Sequence, residues 1–145
     1  MEIKMKILRE GAKLPVYSSA QAAGADLHAC IDAPVTIRPG ETVMIPTGLA
    51  MALPEGYAGL IYARSGLSTK RGLAPANKVG VIDPDYRGEC MVALLNHGQV
   101  PQTIEPGERI AQLIITPYIT GMFTPVDDLD DTDRGAGGYG STGRT

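Results

Sequence analysis

Short apolar runs, several of them alternating with polar residues, are the main pattern of this chain. Ile3, Met5 and Ile7 alternate with charged residues, which is typical of a strand with one buried face. Ten further segments have the same character: 25–30, 34–38, 42–46, 49–53, 57–63, 79–82, 90–96, 100–104, 109–116 and 122–126. So many short strands predict an all-β sandwich or barrel.

Turn residues separate these segments. The stretches 37–41 and 104–108 are near copies, Ile-Arg-Pro-Gly-Glu and Ile-Glu-Pro-Gly-Glu. Each places Pro and Gly at the two central positions of a type II turn. One such pair shows shared turn chemistry and is too little to indicate a tandem repeat.

A single stretch, from Ser65 to Arg71, predicts a helix, with Ser65 as its N-cap and Gly72 as its end. The chain is therefore expected to form one β-barrel domain over residues 1–126 with one short helix. Residues 127–145 are expected to form an acidic linker and a flexible, Gly-rich C-terminal arm.

Composition adds that the core must be aliphatic, because the 145 residues include no Trp and only one Phe. Charges balance over residues 1–126, so no clustered basic face is available for a nucleic acid polymer. The aspartates of 127–133 are expected to be a solvated linker rather than a metal site.

Cysteine usage and hydropathy indicate a cytoplasmic protein. Cys30 and Cys90 lie in apolar, strand-like contexts without metal-ligand spacing, so both are interpreted as small core residues. No signal peptide and no membrane span are expected, since no apolar run approaches about 20 residues.

Residues 83–89, Asp-Pro-Asp-Tyr-Arg-Gly-Glu, form the densest cluster of functional groups. The cluster lies between two apolar strands, so we expect it in a hairpin. A carboxylate at such a position can act as general base toward a water. The alternative is plain turn chemistry, because Asp and Pro are turn formers.

A second cluster, Arg64-Ser65-Gly66, could hold an anion, although an N-cap with a surface arginine explains the same residues. Gln112 and Asp26 lie among apolar neighbours, and a buried polar group needs partners. Gln112 therefore either bonds the backbone or faces a ligand, and Asp26 raises the same question.

The C-terminal stretch 134–143 combines an arginine, several glycines, Tyr139 and the adjacent hydroxyls of Ser141 and Thr142. Guanidinium, backbone N–H groups and hydroxyls bind phosphate, and an aromatic face can stack on a base. It is not a Walker loop, because no lysine precedes the two hydroxyls. A flexible terminus is the alternative.

Taken in order, five segments resemble the five motifs of the trimeric dUTPase family, the dUTP nucleotidohydrolases. They are Ala23-Gly-Ala-Asp-Leu-His-Ala29, Arg64-Ser-Gly-Leu-Ser-Thr-Lys-Arg-Gly72, Gly80-Val-Ile-Asp-Pro-Asp-Tyr-Arg-Gly-Glu89, Arg109-Ile-Ala-Gln112 and Arg134-Gly-Ala-Gly-Gly-Tyr-Gly-Ser-Thr-Gly143. Each motif is weak alone, but five in order are specific.

The resemblance implies a jelly-roll or β-clip type barrel in a homotrimer with shared active sites. It implies Mg²⁺-dependent hydrolysis of dUTP to dUMP and diphosphate, which limits uracil in DNA and supplies dUMP for thymidylate synthesis. Asp83 would activate the water that attacks the α-phosphorus. Asp26 would help to place the waters of a magnesium ion held mainly by the triphosphate, or would brace the site.

The resemblance also implies roles for residues that contact the substrate. Tyr86 would lie against the deoxyribose, Tyr139 would cap the uracil and the arm would close over the substrate. The uracil edge would be read by Asn77 and by the backbone around Gly80, Val81, Ile82 and Met91. The phosphates would be held by Arg64, Ser65, Gly66, Gln112, Arg134, Gly140, Ser141 and Thr142.

Two other functions remain open from the sequence. A dCTP deaminase shares the fold but generally lacks this combination of an Asp in the third motif and a complete terminal arm. A noncatalytic nucleotide-binding regulator would bind dUTP without turnover.

Overall fold

The computed structural model describes residues 1–139, which form β-strands and one short helix. The all-β prediction is therefore confirmed. The strands are β1 Lys4–Ile7, β2 Val16–Tyr17, β3 Ala25–His28, β4 Val35–Ile37, β5 Thr42–Pro46, β6 Leu49–Ala52, β7 Tyr57–Tyr62, β8 Leu73–Pro75, β9 Gly80–Ile82, β10 Met91–Asn96, β11 Gln102–Ile104 and β12 Arg109–Pro117. The helix is α1, Ser65–Arg71.

A five-stranded antiparallel sheet, in the order β2-β3-β12-β7-β9, positions most of the candidate residues. The long strand β12 lies at its centre, between β3 and β7. Strand β3 contains Asp26, β7 leads into Arg64, and β9 leads into Asp83. The sheet thus positions predicted site residues that are distant from one another in sequence.

The second sheet has the order β5-β10-β8, and the pairs β1-β6 and β11-β4 complete the described strands. Side chains of both larger sheets meet in one aliphatic core. Leu27 and Ile110 enter it from the five-stranded sheet, and Ile45 and Leu94 enter it from the three-stranded sheet. These side chains are at most 1% exposed, so the expected aliphatic core is confirmed.

The two Pro-Gly turns have the same construction. Gly40 and Gly107 have φ values of 76° and 74°, the positive φ that the third position of a type II turn requires. In each turn the following glutamate reaches back: the N–H of Arg38 donates to Glu41 at 2.8 Å, and that of Glu105 donates to Glu108 at 3.0 Å. The predicted turn chemistry is confirmed.

Helix α1 has seven residues and begins differently from the prediction. Arg64 takes the N-cap position with extended backbone, and no side chain caps the helix, so the expected Ser65 cap is wrong. Gly72 ends the helix as predicted, with a φ of 68°. Within residues 1–139, no helix is long and apolar enough to cross a membrane.

The structure corrects several predicted strands. No strand forms over 122–126 in the described chain, because the backbone leaves the sheet after Pro117 and finds no strand to pair with. The predicted strand 100–104 begins only at Gln102. Strands β2 and β8 were not predicted; they are two and three residues long and exist through their pairing with β3 and β10.

The cysteines differ in burial. Cys90 is buried, as expected, whereas Cys30 is only half-buried and donates its thiol to the carbonyl of Glu10. Burial raises the pKa of the Cys90 thiol to about 11, so the reactive thiolate is scarce at neutral pH.

We therefore expect Cys90 to resist iodoacetamide at pH 7.5 in the folded protein. Unfolding in urea should remove the burial, restore an ordinary thiol and allow alkylation. Peptide mass spectrometry after timed labelling measures this. Rapid alkylation of Cys90 in the native protein, at the rate seen in urea, would contradict the buried position.

Candidate functional site

The first candidate pocket lies beside the hairpin that joins β9 to β10 and encloses about 260 Å³. It brings together the residues predicted to read the uracil edge, the tyrosine predicted to contact the sugar, and Asp83, the predicted general base. Its lining residues are Met44, Ile61, Asn77, Gly80, Val81, Ile82, Asp83, Tyr86, Glu89, Cys90 and Met91.

The hairpin is held by its own polar groups. The carbonyl of Asp83 accepts the N–H of Tyr86 at 3.2 Å. The guanidinium of Arg87 donates to the carbonyls of Pro84 and Tyr86 at 2.6 and 2.9 Å. The turn chemistry expected for this cluster is therefore present, and it presents the functional side chains.

Tyr86 is folded back across the hairpin. Its hydroxyl donates to the carbonyl of Glu89 at 3.0 Å. A Cβ added at Gly88 would lie 2.3 Å from that hydroxyl oxygen, so only glycine leaves room for the ring in this position. The hairpin sequence therefore fixes where the aromatic face stands.

Asp83 itself is exposed at the end of β9. In the described part of the chain its carboxylate has no hydrogen-bond or ion-pair partner, and it faces the pocket. A carboxylate that no internal group occupies can accept a proton from a water molecule.

Asn77 lies in a tight turn on the other wall of this pocket. Its carbonyl accepts the N–H of Val79 at 2.7 Å, and Lys78 has a φ of 67°, which is uncommon for a residue with a side chain. A Cβ added at Gly80 would lie 3.2 Å from the side-chain nitrogen of Asn77. Glycine at this position lets the amide approach the β9 backbone.

The second candidate pocket encloses about 340 Å³ and collects residues of the first, second and fourth motifs. Its lining residues are Ser18, Ala22, Ala23, Gly24, Asp26, Arg64, Ser65, Gly66, Gln112 and Ile114. Ser65 and Gly66 are exposed at the start of α1, and a Cβ added at Gly66 would meet no atom within 4 Å. The predicted anion-holding residues thus share one open pocket.

Asp26 is the most densely bonded group of this pocket, although it is only 7% exposed. Its carboxylate accepts the guanidinium of Arg64 at 2.8 Å, the hydroxyl of Ser18 at 2.9 Å and the guanidinium of Arg109 at 3.0 Å. Burial opposes ionisation of the carboxyl. The bonds from Ser18 and Arg109, with the charge of Arg64, outweigh it, and the pKa of Asp26 lies below its usual value.

These bonds bear on the metal role implied for Asp26. Both carboxylate oxygens are occupied by protein donors, and two arginines already balance the charge. Residues 1–139 contain no group of three or more His, Cys, Asp or Glu side chains that could hold a metal ion. The described residues therefore do not form a metal cage, and the surroundings of Asp26 fit the bracing role.

Gln112 lies opposite Asp26 in the β12-β3 register. Its side-chain N–H donates to the carbonyl of Ala63 at 2.8 Å. A Cβ added at Gly24 would lie 2.5 Å from the Gln112 side-chain oxygen, so the amide packs against a glycine. Of the two readings open from the sequence, backbone bonding is the one observed, and the side chain still lines the pocket.

Sequence reasoning missed Ser18 and Arg109 as partners of Asp26. Arg109 opens the fourth motif, and its opposition to β3 could have been found only from the strand register. Ser18 follows the two-residue strand β2, which has no sequence pattern. Both residues hold the buried charge of Asp26, and the carbonyl of Arg109 also accepts Nη1 of Arg64 at 3.3 Å.

The two pockets share no lining residue. The residues predicted to contact the base and sugar and to activate water therefore line one pocket, and most of the described residues predicted to bind phosphate line another. Arg134, in the terminal arm, donates its Nε–H to the carbonyl of Gly137 at 2.8 Å, and Tyr139 is exposed. Gly140, Ser141 and Thr142 lie outside the described residues.

We expect Asp26→Asn to lower the free energy of unfolding at pH 7 by about 1–3 kcal/mol, because two guanidinium groups lose their shared anion. The lowered pKa of Asp26 means that its contribution is present above the ordinary value of 3.8 and is lost as the pH falls through the folded-state pKa. The difference from wild type should therefore shrink in acid. Urea titrations from pH 7 to pH 3 measure it, with Glu55→Gln as an exposed control. A difference that stays constant down to pH 3 would contradict this account.

Comparison with known proteins identifies the family. The dUTPase family model matches residues 10–143. A deoxyuridine 5'-triphosphate nucleotidohydrolase of Burkholderia lata is 50% identical over 147 residues, with 99% of each chain covered. One of Burkholderia mallei has the same identity and coverage.

Solved structures agree in fold. A Staphylococcus bacteriophage 80alpha dUTPase variant with dUpNHpp has a TM-score of 0.90 at 29% identity, covering 99% of both chains. A variant from phage phi11 of S. aureus, described for the coordination of a structural Mg(II) ion, has a TM-score of 0.81 at 25% identity, covering 90% of this chain and 100% of that one. These similarities confirm the expected jelly-roll fold, and the chain belongs to the dUTPase family.

Proposed function

We propose that this chain hydrolyses dUTP to dUMP and diphosphate by attack of a water on the α-phosphorus, with Asp83 as the base. The observation that carries this proposal is the first pocket. It combines an unpaired carboxylate, an aromatic ring fixed across the hairpin and an amide beside open backbone. These are the groups needed to activate water, contact a sugar and read a base edge.

In the proposed step, the Asp83 carboxylate takes a proton as the water oxygen bonds to the α-phosphorus. The bond from that phosphorus to the bridging oxygen breaks, and diphosphate leaves with the electron pair. Asp83 then returns its proton to solvent, to which it is exposed. No covalent intermediate with the protein is required.

Substrate choice follows from the walls of the same pocket. Tyr86 lies against the deoxyribose and leaves no room for a 2′-hydroxyl. Asn77 and the backbone around Gly80, Val81, Ile82 and Met91 read the uracil edge, and the tight hairpin excludes the thymine methyl. The short approach of the Asn77 amide to Gly80 supports this reading.

The second pocket holds the phosphates through Arg64, Ser65, Gly66 and Gln112. Arg64 donates its Nε–H to Asp26 and an N–H of Nη1 to the carbonyl of Arg109. These two bonds fix the guanidinium plane and leave other N–H groups for phosphate oxygens. The terminal arm adds Arg134 to the phosphates and caps the uracil with Tyr139. Gly140, Ser141 and Thr142 complete that arm.

Magnesium enters this proposal as part of the substrate. A divalent ion bound to the triphosphate would offset the negative charge that repels the hydroxide developing as Asp83 takes the proton. Asp26 braces Arg64 and is not a direct ligand of the ion.

We further propose that the active site is shared between copies in a homotrimer. The separation of the two pockets supports this, because one chain alone keeps the water-activating and phosphate-binding groups apart. An apolar row crosses the five-stranded sheet beside Gln112, formed by the paired residues Val81, Leu60 and Ile114. Such a row favours a packing partner.

The segment after β12 supports assembly as well. Met122 and Phe123 are 92% and 96% exposed, and Ile119 is 96% exposed. This is the segment whose sequence predicts a strand over 122–126. A neighbouring copy would supply the cover, and the arm beyond it would then reach that copy's site.

In the cell this activity limits uracil in DNA and supplies dUMP for thymidylate synthesis. A cytoplasmic location and the absence of a nucleic acid polymer as partner stay predictions. Diphosphate release across dUTP, dTTP, dCTP and UTP tests the substrate. Release of ammonia from dCTP would favour the deaminase instead, and dUTP binding without turnover would favour a regulator.

We expect Asp83→Asn to retain dUTP affinity while kcat falls by about 10²–10⁴-fold, since the amide cannot accept the proton of the water. Binding of dUTP by calorimetry and diphosphate release measure the two effects separately. Asp85→Asn, in the same hairpin, is the matched control and should keep its turnover. Near-normal turnover by Asp83→Asn would exclude Asp83 as the base.

A mixing experiment tests the shared site. Gly66→Asp places a carboxylate in the phosphate pocket, where the added side chain meets open space. We expect this variant and Asp83→Asn to be inactive alone. After unfolding together and refolding, a 1:1 mixture should recover about a quarter of wild-type activity. In a random trimer, a site receives an intact Asp83 from one chain in about half of the cases and an intact Gly66 from its neighbour in about half.

The same two variants mixed without unfolding are the control. Their trimers do not exchange subunits, so this mixture should stay inactive. If the refolded mixture stays as inactive as its parents while size-exclusion chromatography shows mixed trimers, each site is built within one chain.

A further inference from the structure

The carboxylate of Glu89 is held by a clamp at the base of the catalytic hairpin. Its two oxygens accept Nε and Nη2 of Arg9, each at 2.9 Å, and Oε1 also accepts the N–H of Gly48 at 2.9 Å. The Glu89 side chain is 16% exposed, whereas that of Arg9 is 52% exposed. Arg9 thus closes over a mostly covered carboxylate from the solvent side.

The backbone on either side of this clamp is hydrogen-bonded to residues 47–49, the segment that contains Gly48. The N–H of Cys90 donates to the carbonyl of Leu49 at 2.7 Å, and the hydroxyl of Thr47 donates to the carbonyl of Cys90 at 2.6 Å. On the other side, the N–H of Leu8 donates to the carbonyl of Gly48 at 2.8 Å. The loop 47–49 therefore joins the N-terminal segment to the base of the hairpin.

Glu89 also supplies the anchor for Tyr86. The carbonyl of Glu89 accepts the Tyr86 hydroxyl at 3.0 Å, so the height of the ring follows the position of the Glu89 backbone. Because the carboxylate of the same residue is clamped on two sides, its backbone cannot shift without breaking a charge-assisted pair. Arg9 thus binds the carboxylate of Glu89, while the Tyr86 hydroxyl binds the carbonyl of the same residue.

From this connection we infer that Arg9 and Glu89 are positioning residues that hold Tyr86 against the sugar and so set the preference for deoxyribose over ribose. The inference rests on the role proposed above for Tyr86. Arg9 also neutralises a carboxylate that lines the nucleotide pocket, where an unpaired negative charge would repel a triphosphate.

Stability alone does not account for the arrangement. The Arg9 side chain is 52% exposed, and ion pairs open to solvent on one side contribute little to the free energy of unfolding. The bidentate geometry instead restricts orientation, which is the property that a positioning contact needs.

The test compares kcat and KM for dUTP and UTP in Arg9→Met, Glu89→Ala and Glu89→Gln. We expect Arg9→Met and Glu89→Ala to reduce the ratio of kcat/KM for dUTP to that for UTP by about tenfold, the loss expected for one charge-assisted hydrogen bond. Glu89→Gln keeps an acceptor for Gly48 and for one Arg9 N–H, so it should restore most of the ratio.

Arg38→Met is the matched control, because Arg38 is also an exposed arginine but lies at the Pro39-Gly40 turn, away from the hairpin. Its ratio should equal that of wild type. A second measurement uses Tyr86→Phe, which removes the bond to Glu89. If one path connects these residues, Arg9→Met should change the ratio little in that background.

The outcomes separate the inference from the function on which it rests. If Tyr86→Ala lowers the ratio but Arg9→Met and Glu89→Ala leave it unchanged, the positioning role is overturned and the role of Tyr86 stands. If wild type shows no preference, or Tyr86→Ala retains it, both are overturned. Should Glu89→Ala fail to fold by circular dichroism, the solvent-facing Arg9→Met decides the test.

Discussion

The buried charge of Asp26 is the interaction on which the pocket proposed to bind phosphate depends. A carboxylate that is almost fully covered requires compensating donors, and Ser18, Arg64 and Arg109 supply them. These bonds connect β3, which contains Asp26, with the start of β12 and with the residue before α1. Because the buried carboxylate needs these partners, it also holds the guanidinium of Arg64, the proposed phosphate-binding arginine, in one orientation.

The hairpin between β9 and β10 follows a different principle, because backbone carbonyls accept most of the hydrogen bonds that hold it. Arg87 binds the carbonyls of Pro84 and Tyr86, and the Tyr86 hydroxyl binds that of Glu89. Asp83 is left outside this set of bonds. Ion pairs therefore fix the charged groups of one pocket, whereas in the other the carboxylate of Asp83, the proposed base, has no partner among residues 1–139.

Sequence reasoning found most of the strands, the extent of the helix and many residues of both pockets, because alternation, turn residues and motif order are local properties. It could not find what depends on register: that Gln112 lies opposite Asp26, that Arg109 returns to the same carboxylate, and that Arg9 reaches Glu89. Its strand at 122–126 has the composition of a strand but no partner within the described chain. Pairing across distant positions is invisible to a pattern read along the chain.

The exposed apolar segment after β12 has a consequence for the life of the protein in a cell. In the proposed trimer a neighbouring copy covers this segment, whereas a single chain presents Ile119, Met122 and Phe123 to water. Such a segment is a template for aggregation and a point of attack for proteases. If the proposed trimer covers the segment, unassembled chains should be degraded faster than trimers, and the amount of active protein would follow the amount that assembles.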